Sequence, residues 1–141
     1  MSSNNGNASP LGARALTTAT VQEIHLELIR RTERNNFDGA QVLADLMAHR
    51  EDWRAVLFDT HGLASNGVVC GLIKLRDMAD NFYNVDTLYI LAVNELAAQR
   101  LAAFAEEWAA DAVQVYDEEE TNHRLGGCSD NHLCLVTMWW D

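Results

Sequence analysis

The chain has 141 residues, is 48% hydrophobic and carries a formal net charge of −11. That length makes one domain the default and can bury a sizeable core. The apolar content excludes a disordered chain, and no apolar run approaches the roughly 18 residues that a membrane helix needs.

The charge is unevenly spread. Residues 1–76 hold eight Lys/Arg and eight Asp/Glu, whereas residues 77–141 hold Arg100, Arg124 and thirteen acids. An acidic field repels phosphates and attracts basic surfaces, so no direct nucleic-acid binding is expected and a basic protein partner is allowed. Cys70, Cys128 and Cys134 do not make an even disulfide set, and no basic segment followed by an apolar run opens the chain. A reduced, cytoplasmic protein without a membrane anchor is the expectation.

Residues 1–16 are rich in Ser, Asn and Gly, with the chain's only proline at Pro10, and read as a flexible tail before one globular domain over 17–141. Thr20-Val21-Gln22-Glu23 fits a capping box, in which a Thr hydroxyl and a Glu carboxylate satisfy orphan N–H groups at a helix start. The helix is predicted over 21–34, with Val21, Ile24, His25, Leu28 and Ile29 on one face and Glu27 paired to Arg31. Asp38 caps a second predicted helix over 39–50, its face formed by Val42, Leu43, Leu46 and Met47. Two such helices make an αα-hairpin. A DNA-binding helix-turn-helix has a similar outline, but this region has no excess of positive charge.

Residues 53–59 read as a strand, and 60–67 as a loop. Residues 67–80 are ambiguous: helical spacing of Val68, Leu72, Leu75 and Ala79 favours a helix, while Asn66-Gly67 is a hairpin signal. Residues 86–92 read as a buried strand, and Asn94 caps a helix over 95–108 whose buried face is Ala97, Leu101, Phe104, Ala105 and Trp108. Residues 112–116 form the next predicted strand. A short helix over 118–125 ends at Gly126-Gly127, and residues 132–140 form the last strand. The alternation predicts an α/β fold, an N-terminal αα-hairpin followed by a small, mostly parallel sheet of three or four strands with flanking helices. If residues 67–75 are instead a strand, the class becomes α+β with a mixed sheet.

Three residue sets could carry function. In an open parallel sheet ligands bind beyond the strand C-termini, which would gather Asp59, His61 and Asp117 into a carboxylate/His site able to catalyse or to hold magnesium. Val56 to Leu63 also resembles, over eight residues, the nucleophile motif of haloacid dehalogenase-like phosphatases, with Asp59 at the first carboxylate position. His61 stands where that family has its second Asp and Leu63 where it has Thr or Val, so no role is carried over. His123, Cys128, His132 and Cys134 are zinc-type ligands within twelve residues, although their spacing is not that of a paired knuckle. The third set is the acidic stretch Glu106, Glu107, Asp111, Tyr116, Glu118, Glu119 and Glu120. Together these make an acidic, non-catalytic interaction or regulatory domain with a basic partner the leading expectation, with no cofactor. A small enzyme or ligand-binding domain and a zinc-binding domain are the alternatives. Four tryptophans leave room for an apolar homo-oligomer interface.

Overall fold

Thr20 opens the first helix, as its neighbours dictate. Its hydroxyl accepts from the Glu23 backbone N–H (3.0 Å), and Glu23 Oε1 accepts from the Thr20 N–H (2.9 Å), so α1 (Val21–Arg31) starts on a reciprocal pair. The computed structural model describes residues 15–61, 70–127 and 132–141. The predicted tail lies almost wholly outside them, as do residues 62–69 and Cys128. Among the described residues no helix is long and apolar enough to cross a membrane.

The face of α1 is turned from the one the apolar spacing predicts. Val21 is 85% exposed, while Leu26, Glu27 and Ile29 are buried, with Gln22 and His25 half-buried beside them. Buried Glu27 accepts from Arg30 (2.7 Å and 2.9 Å) and from Arg31 (2.9 Å). The helix stops at Arg31. Glu33–Arg34 (β1) and Phe37–Asp38 (β2) then pair as a minimal hairpin around Asn35, whose φ of 49° lies in the left-handed region that Asn tolerates. Asp38 caps α2 (Gly39–Ala48) by accepting from the Gln41 N–H. Gly39 sets the helices close together: its N–H donates to Thr32 O (3.0 Å), and a Cβ there would lie within 3.0 Å of the carbonyl oxygens of Ile29, Thr32 and Arg30.

The remaining elements are β3 (Trp53–Asp59), α3 (Ile73–Met78), β4 (Thr87–Ala92), α4 (Glu95–Ala102), α5 (Phe104–Glu107), β5 (Ala112–Val115), α6 (Glu118–Leu125) and β6 (Cys134–Trp139). The four long strands form one sheet in the order β3-β4-β6-β5, with every neighbouring pair antiparallel. The expected, mostly parallel α/β sheet is therefore overturned, and the class is α+β. Two physical causes account for the difference. The six-residue α3 spans about 9 Å and β3 about 20 Å, so α3 is too short to run the length of the strand as a crossover helix does, and β4 returns beside β3. The strand–helix–strand unit β4-α4-α5-β5 does exist, and its strands run the same way. But β6 slots between them, giving a split βαβ arrangement.

Register and burial place the core on one face. Val56, Ile90, Val136 and Val115 form one row across the sheet, and Phe58, Leu88, Met138 and Val113 the next. Over them pack Leu26 and Ile29 of α1, Val42 and Leu46 of α2, and Ala97, Ala98 and Leu101 of α4. Trp140, just past β6, is buried edge-on to Phe37 and donates its indole N–H to Trp108 O (2.9 Å). The opposite face is less covered: Leu57 is 44% exposed, and Tyr89, Leu91, Thr137 and Trp139 are half-buried.

The outer edge of β3 is closed by side chains. Gln22 of α1 donates to Val56 O (2.9 Å) and accepts from Val56 N (3.0 Å), so one amide mimics a neighbouring strand. His25 Nε2 accepts from the Phe58 N–H (2.8 Å), and the Tyr83 hydroxyl donates to Phe58 O (2.8 Å). Accepting at Nε2 requires a neutral imidazole with its proton on Nδ1. Burial pushes the His25 pKa below its ordinary value, outweighing the Phe58 carbonyl and Asp59, which pull it up.

Gly39→Ala is expected to destabilise the fold by about 1–3 kcal/mol, because backbone carbonyls cannot yield to the added methyl; equilibrium denaturation measures this. The lowered His25 pKa means that the unfolded chain binds this proton more readily. Its contribution is therefore complete above the ordinary imidazole value of 6.5 and is lost as pH falls through the lower folded value. Melting temperature measured from neutral to mildly acidic pH is expected to drop less steeply in His25→Gln, whose amide accepts from Phe58 N without titrating.

Candidate functional site

The antiparallel register separates the carboxylates that a parallel sheet would have gathered. Asp59 pairs across to Thr87, Thr87 to Trp139, and Trp139 to Ala112, so Asp59 and the start of β5 share one border of the sheet. Asp117 follows the other end of β5, on the opposite border. Asp59 and His61 thus stand together, and Asp117 stands apart from both.

Asp59 is occupied structurally. It forms an ion pair with Lys74 and accepts from the Thr60 N–H (2.7 Å). Partial burial pushes its pKa up, but Lys74 and the Thr60 N–H outweigh this, and the carboxyl sits below its ordinary value. The residue that organises this corner is Asp86, which the sequence reading passes over. It accepts from the His61 N–H (3.0 Å), the Thr87 hydroxyl (2.8 Å) and the Trp139 indole (3.3 Å). An Asp immediately before a strand was its only sequence signal.

The zinc-type residues are dispersed where they can be followed. His123 lies on α6 and lines an open cleft with Asp117, Glu119 and Glu120. His132, with a φ of 57°, is exposed and hydrogen-bonds Glu118 (3.1 Å). Cys134 is buried in the core beside Val136 and Met138, and burial pushes its thiol pKa up, away from the thiolate that zinc requires. Cys128 lies outside the described residues. Among those described, no three His, Cys, Asp or Glu side chains converge as a metal cluster. A separate cavity of about 690 Å³ lies between the end of α1 and residues 78–83, lined by Leu28, Arg30, Arg31, Met78, Phe82 and Tyr83 among others. It includes none of the candidate residues.

The acidic stretch frames β5. Glu106 and Glu107 end α5, and Asp111 stands immediately before β5 with Oδ2 accepting from the Asp141 N–H (2.7 Å). Beyond the strand, Asp117 caps α6 by accepting from the Glu120 N–H (2.8 Å), and Glu118, Glu119 and Glu120 fill the first turn, where a helix dipole favours anions. All of these acids are exposed except Glu120, which is half-buried and pairs with Arg124 (3.0 Å). The Arg124 guanidinium also lies 4.1 Å from the centre of the Tyr116 ring, so Tyr116 is half-buried beneath a cation. Trp108, next to these acids in sequence, turns inward: it stacks on Phe104 and donates to Asp45 (2.8 Å).

Between the two acidic ends, β5 presents an open edge. Tyr116 N donates to Leu135 O (2.8 Å), which fixes the alternation. Ala112 and Gln114 point their backbone groups at β6, while Val113 and Val115 point theirs outward. Among the described residues no hydrogen bond reaches those outward groups. Ala112, Val113 and Gln114 are exposed, Val113 by 45%. Compared with known proteins, the chain matches no family model, no curated protein and no solved structure.

Amide hydrogen exchange separates the two edges. The Val56 and Phe58 amides, held by Gln22 and His25, are expected to exchange slowly, and those of Val113 and Val115 rapidly, at the same pH and temperature.

Proposed function

We propose that the chain is a non-catalytic interaction domain whose acidic surface around β5 and α6 receives a basic protein partner. The observation that carries this reading is the framing of one exposed strand by seven carboxylates at residues 106–120, with no Lys or Arg among them. Packing does not account for these acids, since all of them but Glu120 are exposed. Several make local contacts, as Asp117 does in capping α6, yet the charge as a whole is far larger than capping needs. A field of one sign accelerates encounter with a partner of the other and rejects phosphate backbones. The separation of Asp59 and His61 from Asp117, together with the Lys74 partner of Asp59, leaves the enzymatic alternative without a converging site. A free, buried Cys134 agrees with a partner met in a reducing compartment.

The combined variant Glu118→Lys, Glu119→Lys and Glu120→Lys tests the reading on a partner identified by affinity capture from the native host. The partner is expected to be basic. Its affinity should fall at least about tenfold in the variant and fall with added salt in the parent. A captured partner that binds the variant unchanged overturns the proposal. Circular dichroism of the variant checks that α6 persists, since three lysines in its first turn oppose the helix dipole.

A further inference from the structure

We infer that β5 is a strand-addition edge, taking up an extended, cationic segment of a partner protein as a fifth strand of the sheet. The inference rests on the basic-partner reading above and specifies how that partner docks. Its first support is the contrast between the two edges. The β3 edge is closed by four hydrogen bonds from Gln22, His25 and Tyr83, whereas the outward N–H and C=O groups of Val113 and Val115 have no partner among the described residues. An edge strand left in this state is a template for another chain.

The side chains around the edge define the occupant. Val113 lies on the helix-bearing face and is 45% exposed, so an apolar residue placed opposite it would cover the ring of the core left open at the sheet margin. Gln114 and Ala112 line the other face and accept a small or polar neighbour. Asp111 stands at one end of the four-residue strand and Asp117, Glu118 and Glu119 at the other, so the added segment carries Lys or Arg at both ends. A second copy of this chain is the wrong occupant. Antiparallel pairing of two β5 edges would set Asp111 of each against the 117–119 carboxylates of the other, and like charges directly opposite are destabilising.

The probe is a blocked heptapeptide, Lys-Lys-Val-Thr-Val-Lys-Lys, added to the full chain. One version is N-methylated on both valine amides, and another on the threonine and the lysine that follows the second valine. In antiparallel addition with a valine opposite Val113, the valine amides face β5 and the others face water. The parent peptide is expected to bind and to slow amide exchange at Val113 and Val115. The valine-methylated version should bind at least about tenfold more weakly, and the other within about twofold of the parent. Val113→Pro deletes one outward donor while sparing the β6 ladder and should weaken binding of the parent peptide. The paired peptides keep the test independent of whether that variant folds. Equal binding by both methylated forms means that charge alone holds the peptide, which overturns strand addition and leaves the basic-partner reading standing. Absence of binding by the parent peptide at low salt also overturns the inference, and so does a dimer of the chain that Val113→Pro dissolves. Failure of the basic-partner reading itself shows separately, in the triple lysine variant.

Discussion

The sheet depends on β6 reaching the space between β4 and β5. Six residue pairs join it to β4 and four join it to β5, and among the described residues β5 pairs with no other strand. The same C-terminal segment buries Trp140 against Phe37 of β2 and closes a hydrogen bond to Trp108, at the end of α5. Residues more than a hundred apart in sequence are therefore brought into one core by the last part of the chain. Long-range pairing of this kind is slow to form, because chain entropy is lost before contacts repay it. Until β6 is placed, β4 and β5 are two unconnected strands under a shared helix, and the α4 face has only half a sheet to cover.

The two outer edges of that sheet have been treated differently. At β3, helix α1 supplies the partners that a further strand would have given. Each such bond adds ~1 kcal/mol net, and leaving a half-buried donor unmade costs more than that. Gln22 matches both polar groups of Val56 with its one amide, and His25 divides the task at Phe58 with Tyr83. Closing the edge in this way requires α1 to aim two polar side chains at the sheet. No such cover stands beside β5 among the described residues, and no hydrogen bond from them reaches its outward backbone groups.

These choices explain which parts of the structure were legible from the chain alone. Caps act over three or four residues, so Thr20, Asp38 and Asn94 mark true helix starts, and Gly126, with a φ of 80°, marks a true stop. Strand cores at 53–59, 87–92, 112–115 and 134–139 are local apolar runs and were equally visible. Strand order is not a local property. The insertion of β6 between β4 and β5 leaves the β4-α4-β5 signal intact while removing the parallel neighbour it implied. The face of α1 was misread for a related reason. An apolar template favours Val21 and Ile24 and discards Gln22, although an unpaired strand edge is polar and calls for such a side chain. The gathering of Asp59 with Asp117 failed along with the parallel sheet, whereas the acidic frame of β5 depends only on sequence neighbours and survived the change of topology.

Acidity and openness at β5 answer different physical problems, and together they narrow what the edge can accept. An exposed edge with no charge near it would pair with any extended chain, including a second copy of itself. Carboxylates at both ends make that symmetric pairing bring like charges together, while the central residues of β5 stay exposed or half-buried. In the proposed strand addition, backbone hydrogen bonds would supply attraction without sequence preference, and the flanking charge and the half-open Val113 would supply the discrimination. Charge acts at long range and is screened by salt, whereas the strand ladder forms only on contact and is not. A segment that satisfies both would arrive quickly and dissociate slowly, and a segment that satisfies one would do neither well. With the β3 edge closed by neutral side chains, the edge of the four-stranded sheet left unpaired among the described residues is the one beside which negative charge is concentrated.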